Sequence, residues 1–383
     1  MEFLQLMENW NGFAVLKEQR RFSEAAVAQT LDLLLNTDRL RTHRHEYLLR
    51  EAIQTADFPA LFGFVIDRQM LAKYSAWIPN WRAYCATGTL PNFNVAQYHK
   101  VYGNDEYLPF VPERAPYPET AQGTGFYPRQ VFKHGRAFGI SWEAQINDIL
   151  RAFQDIPERF ATAAARTVAR DVTSIFSSPA GPNPALFGAP IADVDGQNVV
   201  NQGNLALDIT NLQTTLDLMS RQTDPNGEPI LVRGVHLVVP PPLEFTARSI
   251  LNSAYVQNVD LAGAANAVPT AYVPLPVANV VAQYGLQLHV DPYLMVVDRT
   301  PTNDSTWYVF ADPAQGKAMQ MDFLAGHESP EVCMKMSNKI ATAGGMVSPF
   351  DGDFETDNTE YRVRIVHGGA ALDPRFAYAQ VGP

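Results

Sequence analysis

The sequence predicts a mixed α+β protein organised around one long helix. A helical pattern with a single apolar face runs over residues 155–177. A proline-rich extended stretch precedes it over 96–140, and text that alternates strand and helix follows over 181–310. With 383 residues, 46% of them apolar and 18% charged, the chain can bury a substantial core and is expected to form two or three packed regions. Its 28 prolines and 24 glycines are scattered, which reads as many bends in an ordered chain rather than as disorder.

The helix has a start signal and a stop signal. Asp155 reads as N-cap, Pro157 lies in the first turn, and Glu158 stands three residues on, as in a capping box. Ile156, Phe160, Ala164, Val168, Val172, Ile175 and Phe176 then recur every three or four residues, with Arg159, Arg166, Arg170 and Asp171 on other faces. The small-residue run ATAAA allows close approach by another element, and SSPAGPNP ends the helix. At about 1.5 Å per residue such a helix is roughly 34 Å long. No catalytic side chain sits on it.

The stretch before it reads as a projecting hairpin. YLPFVPE (107–113) is taken as one arm, FYPRQVFKHGRAFGIS (126–141) as the returning arm, and APYPETAQGTG (115–125) as the turn region. Prolines 109, 112, 116, 118 and 128 keep this stretch out of a sheet interior and suit an edge. Its charges nearly balance, Asp105, Glu106, Glu113 and Glu119 against Arg114, Arg129, Lys133 and Arg136. A mixture of that kind does not build a core, but it can meet a neighbouring copy.

Elsewhere, residues 1–55 lean helical, with Ala26, Val27, Leu31, Leu34 and Leu35 at helical spacing and a solvated basic cluster at Arg39, Arg41, His43, Arg44 and His45. Residues 56–95 are aromatic core text broken by Pro59 and Pro79, with Trp77 and Trp81 around the second break. Beyond the long helix, ALDITNLQTTLDLMSRQ and PLEFTARSILNS read as helices. ILVRGVHLVVP, GLQLHVDPYL and STWYVFADP read as strands, and ANAVPTAYVPLP as a mobile loop. His236 falls inside a strand pattern as a core or edge residue.

The formal net charge of −11 carries no basic stripe, which argues against a dedicated nucleic-acid binder. The two cysteines, Cys85 and Cys333, are too few for a disulfide framework or a thiolate zinc site and suit a reducing compartment. The N-terminus lacks the charge and apolar core of a signal peptide, and no 18-residue apolar run is present. HESPE (327–331) differs from a zinc-protease motif in ending on Glu331, with Pro330 interrupting the required helix. DGDFETD (351–357) lacks the glycine and final glutamate of a calcium loop, having Thr356 and Arg362 there, and reads as a solvated acidic turn. GTGFYP lacks the third glycine of a dinucleotide fingerprint, and neither a phosphate-binding loop nor a nucleophile elbow occurs. No catalytic residue, cofactor or metal is therefore expected.

Five stretches, in order, resemble the major capsid proteins of tailed bacteriophages, the fold named after phage Hong Kong 97. They are FGISWEAQINDILRAFQDIP, ATAAARTVARDV, GVHLVVPPPLEFTARSILNS, WYVFADP with FLAGHESPEV, and YRVRIVHGGAALDPRFAYAQVG. The resemblance runs from about Ala56 to Gly382. It implies an N-terminal arm (1–55), an extended hairpin loop (96–140) and an axial α/β domain (181–310). It also implies a peripheral domain (56–95, 141–180 and 311–370) carrying the 155–177 helix as its spine, and a C-terminal segment (371–383). It further implies self-assembly as pentamers and hexamers into an icosahedral shell around double-stranded DNA, with scaffolding, portal and decoration proteins as further partners and the host cytoplasm as the place of assembly. Contacts between subunits are expected at Glu113, Arg114, Glu119, Arg129 and Lys133. In the family's type member a scaffolding region is cleaved and a lysine–asparagine bond links subunits. Here the arm is short and the lysine considered for a cross-link, Lys133, is close to the base of the hairpin rather than its tip, so an uncleaved, non-covalent shell is expected. The alternative of the same fold is the shell of an encapsulin-type nanocompartment; a soluble α/β enzyme or another virion component are the readings outside it.

Overall fold

The computed structural model describes residues 70–77, 79–103, 107–120, 122–141, 150–253, 255–257, 276–335, 337–340 and 352–382, with side chains omitted at 140, 150–158, 255–257, 276–278 and 334. The expected arm at 1–55, the aromatic text over 56–69 and most of the loop at 265–276 lie outside them. In chain order the main elements are β1 (Ala86–Leu90), β2 (Ala96–Tyr102), β3 (Gly123–Arg129), β4 (Phe132–Ile140) and α1 (Leu150–Phe176). Then come α2 (Ile209–Ser220), β5 (Gly234–Val239), α3 (Glu244–Asn252), β6 (Gln287–Val290) and β7 (Trp307–Ala311). The chain closes with β8 (Met319–Leu324), β9 (Glu331–Met334), β10 (Thr359–Ala371) and β11 (Ala377–Gln380). The α+β class is as expected. Among the described residues no helix is long and apolar enough to cross a membrane.

The chain divides into two compact units that cut it differently from the expected boundaries. The smaller holds residues 1–78, 132–168 and 323–367. In it β10 pairs antiparallel with β4, from Thr359 opposite Ile140 to His367 opposite Phe132, and on its other side with β9. Met70, Ala161 and Val363 are buried together, with Phe160 and Val332 packed against them. Phe138 stacks on Tyr361 and leans on Phe160, with ring centroids 5.0 and 4.9 Å apart. The alternation Tyr361, Val363, Ile365 thus faces inward as a half-buried strand requires.

The helix is longer than the sequence suggests. It already includes Leu150 and so extends over 27 residues, about 40 Å. Asp155 and Pro157 therefore lie inside it rather than capping it. The cap signature is a local preference, and tertiary packing overrides it. The apolar face is as expected where its side chains are described: Ala164, Val168, Val172, Ile175 and Phe176 are buried and Phe160 is half-buried, with Ala161, outside the expected set, buried as well.

The larger unit holds residues 79–131, 169–322 and 368–383. Its sheet runs β6–β5–β7–β11, with Gln202–Gly203 as a fifth, two-residue strand. β6 is parallel to β5, whereas β7 is antiparallel to both β5 and β11. Leu212, Leu216 and Met219 of α2 and Ala247 and Ile250 of α3 pack with Leu237, Val239, Trp307 and Val309. A Cβ on Gly234 would come within 2.6 Å of Val309 and 2.8 Å of Leu216, so the helix lies on the sheet only because that position is glycine. The expected C-terminal segment supplies β11, inside this sheet.

His236 is buried, as expected, and its Nδ1 lies 3.1 Å from Nε2 of His289 on the neighbouring strand. Burial and the nearby His236 push the His289 imidazole down to about 4. Burial also lowers His236, against an opposing effect of Asp312. A depressed histidine contributes stability in full above its unfolded value, near 6.5, and loses it as pH falls toward the folded value. Between about pH 7 and pH 4.5 the melting temperature is expected to fall, and His289→Gln to flatten much of that slope in thermal melts by circular dichroism. An unchanged slope in the variant would count against this assignment.

Candidate assembly hairpin and its ionic anchor

The projecting hairpin exists, with different arms from those expected. β2 pairs with β3, from Ala96 opposite Arg129 to Tyr102 opposite Gly123, and among the described residues no third strand joins them. YLPFVPE forms no strand and lies in the connection, while 132–140 pairs with β10 instead. The reason is long-range pairing: β10 presents a matching strand more than two hundred residues later, which no local pattern announces. Pro128 sits within β3, where a two-stranded ribbon leaves room for a residue without an N–H.

The hairpin's root, the place where its own unit holds it, lies two residue pairs before the connection, at Lys100 opposite Gly125, and largely covered charges tie it there. Lys100 Nζ of β2 lies 2.8 Å from Asp193, 3.3 Å from Asp195 and 2.5 Å from Asp373. Arg375 reaches Asp193 at 2.5 Å and Asp195 at 2.8 Å, and its Nε donates to the Thr223 carbonyl at 2.9 Å. From β3, the Tyr127 hydroxyl donates to Asp193 at 2.5 Å. The Arg375 side chain is only 3% exposed and that of Asp195 is fully covered. Burial pushes the Asp193 carboxyl up, but hydrogen bonds from Lys100 and Tyr127 outweigh it and hold the group below its ordinary value. Burial would likewise lower Lys100 and Arg375; Asp373 outweighs it for Lys100 with help from Asp193, and for Arg375 with Asp195 and Asp193, so both cations are raised. Gly125 completes the fit, because a Cβ there would meet Val194 at 2.7 Å.

A sequence model of the family described as "Phage capsid protein" matches residues 127–380, about two thirds of the chain and most of both units. The chain belongs to the phage capsid protein family. The expectation of a structural protein of the virion, a major capsid protein of Hong Kong 97-type fold, stands on this membership. No curated protein matches. Among solved structures, the chain is similar to one titled for Gordonia phage Cozz, at 12% identity over 78% of this chain and 84% of that one, with a TM-score of 0.45. The capsid structure of cyanophage P-SCSP1u is similar at 13% identity over 80% and 88%, TM-score 0.46. The holo-SrpI encapsulin complex from Synechococcus elongatus PCC 7942 is similar at 9% identity over 79% and 87%, TM-score 0.45.

In this capsid protein the five residues expected at subunit contacts do not form one group. Glu113, Arg114 and Glu119 lie exposed in the connection between the hairpin arms, and Lys133 is exposed on β4. Arg129 is engaged within its own chain: its guanidinium pairs with the covered Asp322 at 3.0 Å and lies 5.4 Å from the Tyr98 ring. Sequence reasoning missed the anchor, whose members Lys100 and Asp373 are 273 positions apart, although Asp373 and Arg375 lie within the closing stretch YRVRIVHGGAALDPRFAYAQVG. HESPE is resolved as a turn entering β9, where the Glu331 carboxylate takes His327 on one oxygen and Arg364 on the other, the latter at 2.5 Å. In DGDFETD, Asp353 accepts from the backbone and hydroxyl of Thr356, at 2.8 and 2.7 Å, as an acidic turn does.

Removing one partner of an enclosed ion cluster leaves uncompensated charge, so Arg375→Ala is expected to destabilise the unassembled subunit by about 3–5 kcal/mol. Arg221→Ala breaks an exposed pair with Asp217 and is expected to cost about 0–1 kcal/mol. Urea midpoints of the two variants provide the comparison, and similar losses would show that the anchor is not a special site.

Proposed function

We propose that this capsid protein is the repeating wedge of an icosahedral shell around the double-stranded DNA of a tailed phage, assembled in the host cytoplasm. The family match over residues 127–380 carries this reading, joined to a chain that holds a projecting two-stranded hairpin and a helix of about 40 Å. In this role α1 is the spine of a peripheral domain and the hairpin reaches across a neighbouring copy. The α/β unit is the axial domain, gathered at five-fold and six-fold positions. Interfaces of this head-to-tail kind use different patches of one chain, and rings close when the rotation closes. Function then lies in shape and association rather than in catalysis. A net charge of −11 keeps the wall from gripping packaged DNA. Scaffolding, portal and decoration proteins are its further partners, and subunits are held without covalent links.

Electron microscopy of purified protein decides the matter. Uniform icosahedral particles are expected, with DNA inside those taken from infected cells. A folded enzyme inside would instead make the shell an encapsulin-type nanocompartment, and a monomer persisting at high concentration would refute both readings.

Glu113, Arg114, Glu119 and Lys133 are placed to meet opposite charges on an adjacent copy. Arg114→Glu is expected to slow assembly while leaving the melting temperature of the free subunit unchanged. Each exposed ion pair contributes about 0–1 kcal/mol, so the effect becomes visible through repetition over the shell. Equal loss of folding and assembly would sink this role.

A further inference from the structure

The connection between the hairpin arms carries a second surface of different chemistry. Tyr107, Leu108, Phe110 and Tyr117 are 76, 87, 88 and 83% exposed there, so their own unit leaves them uncovered. Single exposed apolar residues are ordinary, but four large ones within eleven positions on a projection form a patch of the kind that marks an interaction site. The backbone beneath them is stiffened by Pro109, Pro112, Pro116 and Pro118, each with φ restrained by its ring. Ala115 N donates to the Pro112 carbonyl at 3.1 Å, closing a turn with Arg114 at φ 64°. At the base, the Thr120 hydroxyl donates to the Gly103 carbonyl at 2.7 Å. A preorganised projection loses little conformational freedom on docking.

We propose that Tyr107, Leu108, Phe110 and Tyr117 are the anchors by which the hairpin docks on a second copy of this chain, and that their burial, more than ion pairing by Glu113, Arg114 and Glu119, holds the contact. The proposal rests on the shell reading above and names the chemistry of its contact. The occupant follows from the shell reading, since a shell built from repeated copies of a capsid protein sets each copy against others. The area is sufficient as well. Three aromatic side chains bring about 450–750 Å² between them. A standard interface takes about 800 Å² from each partner, so these residues and Leu108 supply most of one side. The charges nearby are exposed and therefore screened by salt, whereas apolar burial is not. Aromatic anchors surrounded by weaker polar contacts are the usual distribution of binding energy in an interface. The charges then set register, and the apolar side chains set strength.

The experiment uses the full-length chain and compares the pair Leu108→Ser/Phe110→Ser with Arg114→Glu, following particle formation by light scattering and sedimentation. The serine pair is expected to raise the subunit concentration needed for assembly by about ten- to a hundredfold, and Arg114→Glu by less than about threefold. Unaltered subunits are expected to keep assembling in about 1 M salt, where charges are screened beyond roughly 3 Å. Thermal melts of free subunits check folding. Should the serine pair fail to fold, Tyr107→Ala/Tyr117→Ala is read in its place, with the same loss expected. Normal assembly by both apolar pairs, or assembly abolished by salt and by Arg114→Glu alone, overturns the apolar contact and leaves the shell reading intact. Absence of particles from the unaltered chain overturns both.

Discussion

Where the arms of the hairpin meet the α/β unit, two cations and three carboxylates are largely covered, with the Lys100 side chain 19% and the Asp373 side chain 13% exposed: Lys100 and Arg375 against Asp193, Asp195 and Asp373. Charges in that position are tolerated only when each has a partner at hydrogen-bonding distance, and the distances of 2.5 to 3.3 Å meet that condition. The constraint is directional as well as energetic. Arg375 presents a planar fork, so the loop at 193–195 and the turn at 373–375 hold one mutual geometry, and Lys100 and Tyr127 place both hairpin arms on it. The ribbon is thereby held at Lys100 and Tyr127, although the connection beyond them is exposed.

Root and tip thus divide the work by chemistry. At the root, ionic contacts are buried, specific in direction and intramolecular. At the tip, apolar side chains stand exposed beside a few charges, on a backbone stiffened by proline. An aromatic tip held rigidly by its root suits a subunit that meets its neighbours in one orientation, since a flexible arm would lose more freedom at every contact.

Much of this was legible beforehand. The apolar face of α1, the first half of β10 and the helices α2 and α3 follow patterns of period 3.6 or 2 that reflect one buried face, while β5 and β7 are short apolar runs covered on both faces. The limits were also physical. Asp155, Pro157 and Glu158 spell a helix start, yet the helix already includes Leu150; a cap signature is a local preference of about 1 kcal/mol and does not by itself fix where a helix begins. The residues at 126–129 and 132–140 read as one returning arm, and 123–125 as turn, since nothing local separates a strand that pairs with β2 from one that pairs with β10. Arg129 looked like a free surface charge until Asp322 was placed beside it.

The sequence by itself determined the class of fold, the existence of the rod and the projecting ribbon, and membership in a family of shell-building proteins, because periodicity, proline placement and the order of motifs are properties of the chain read in one dimension. The tertiary structure alone decided which strands form the ribbon, which charges are enclosed and which apolar side chains remain uncovered. Those are questions of proximity between residues such as Lys100 and Asp373, 273 positions apart. Whether a charge is an anchor or a solvated surface group depends on what the fold brings within about 3 Å of it.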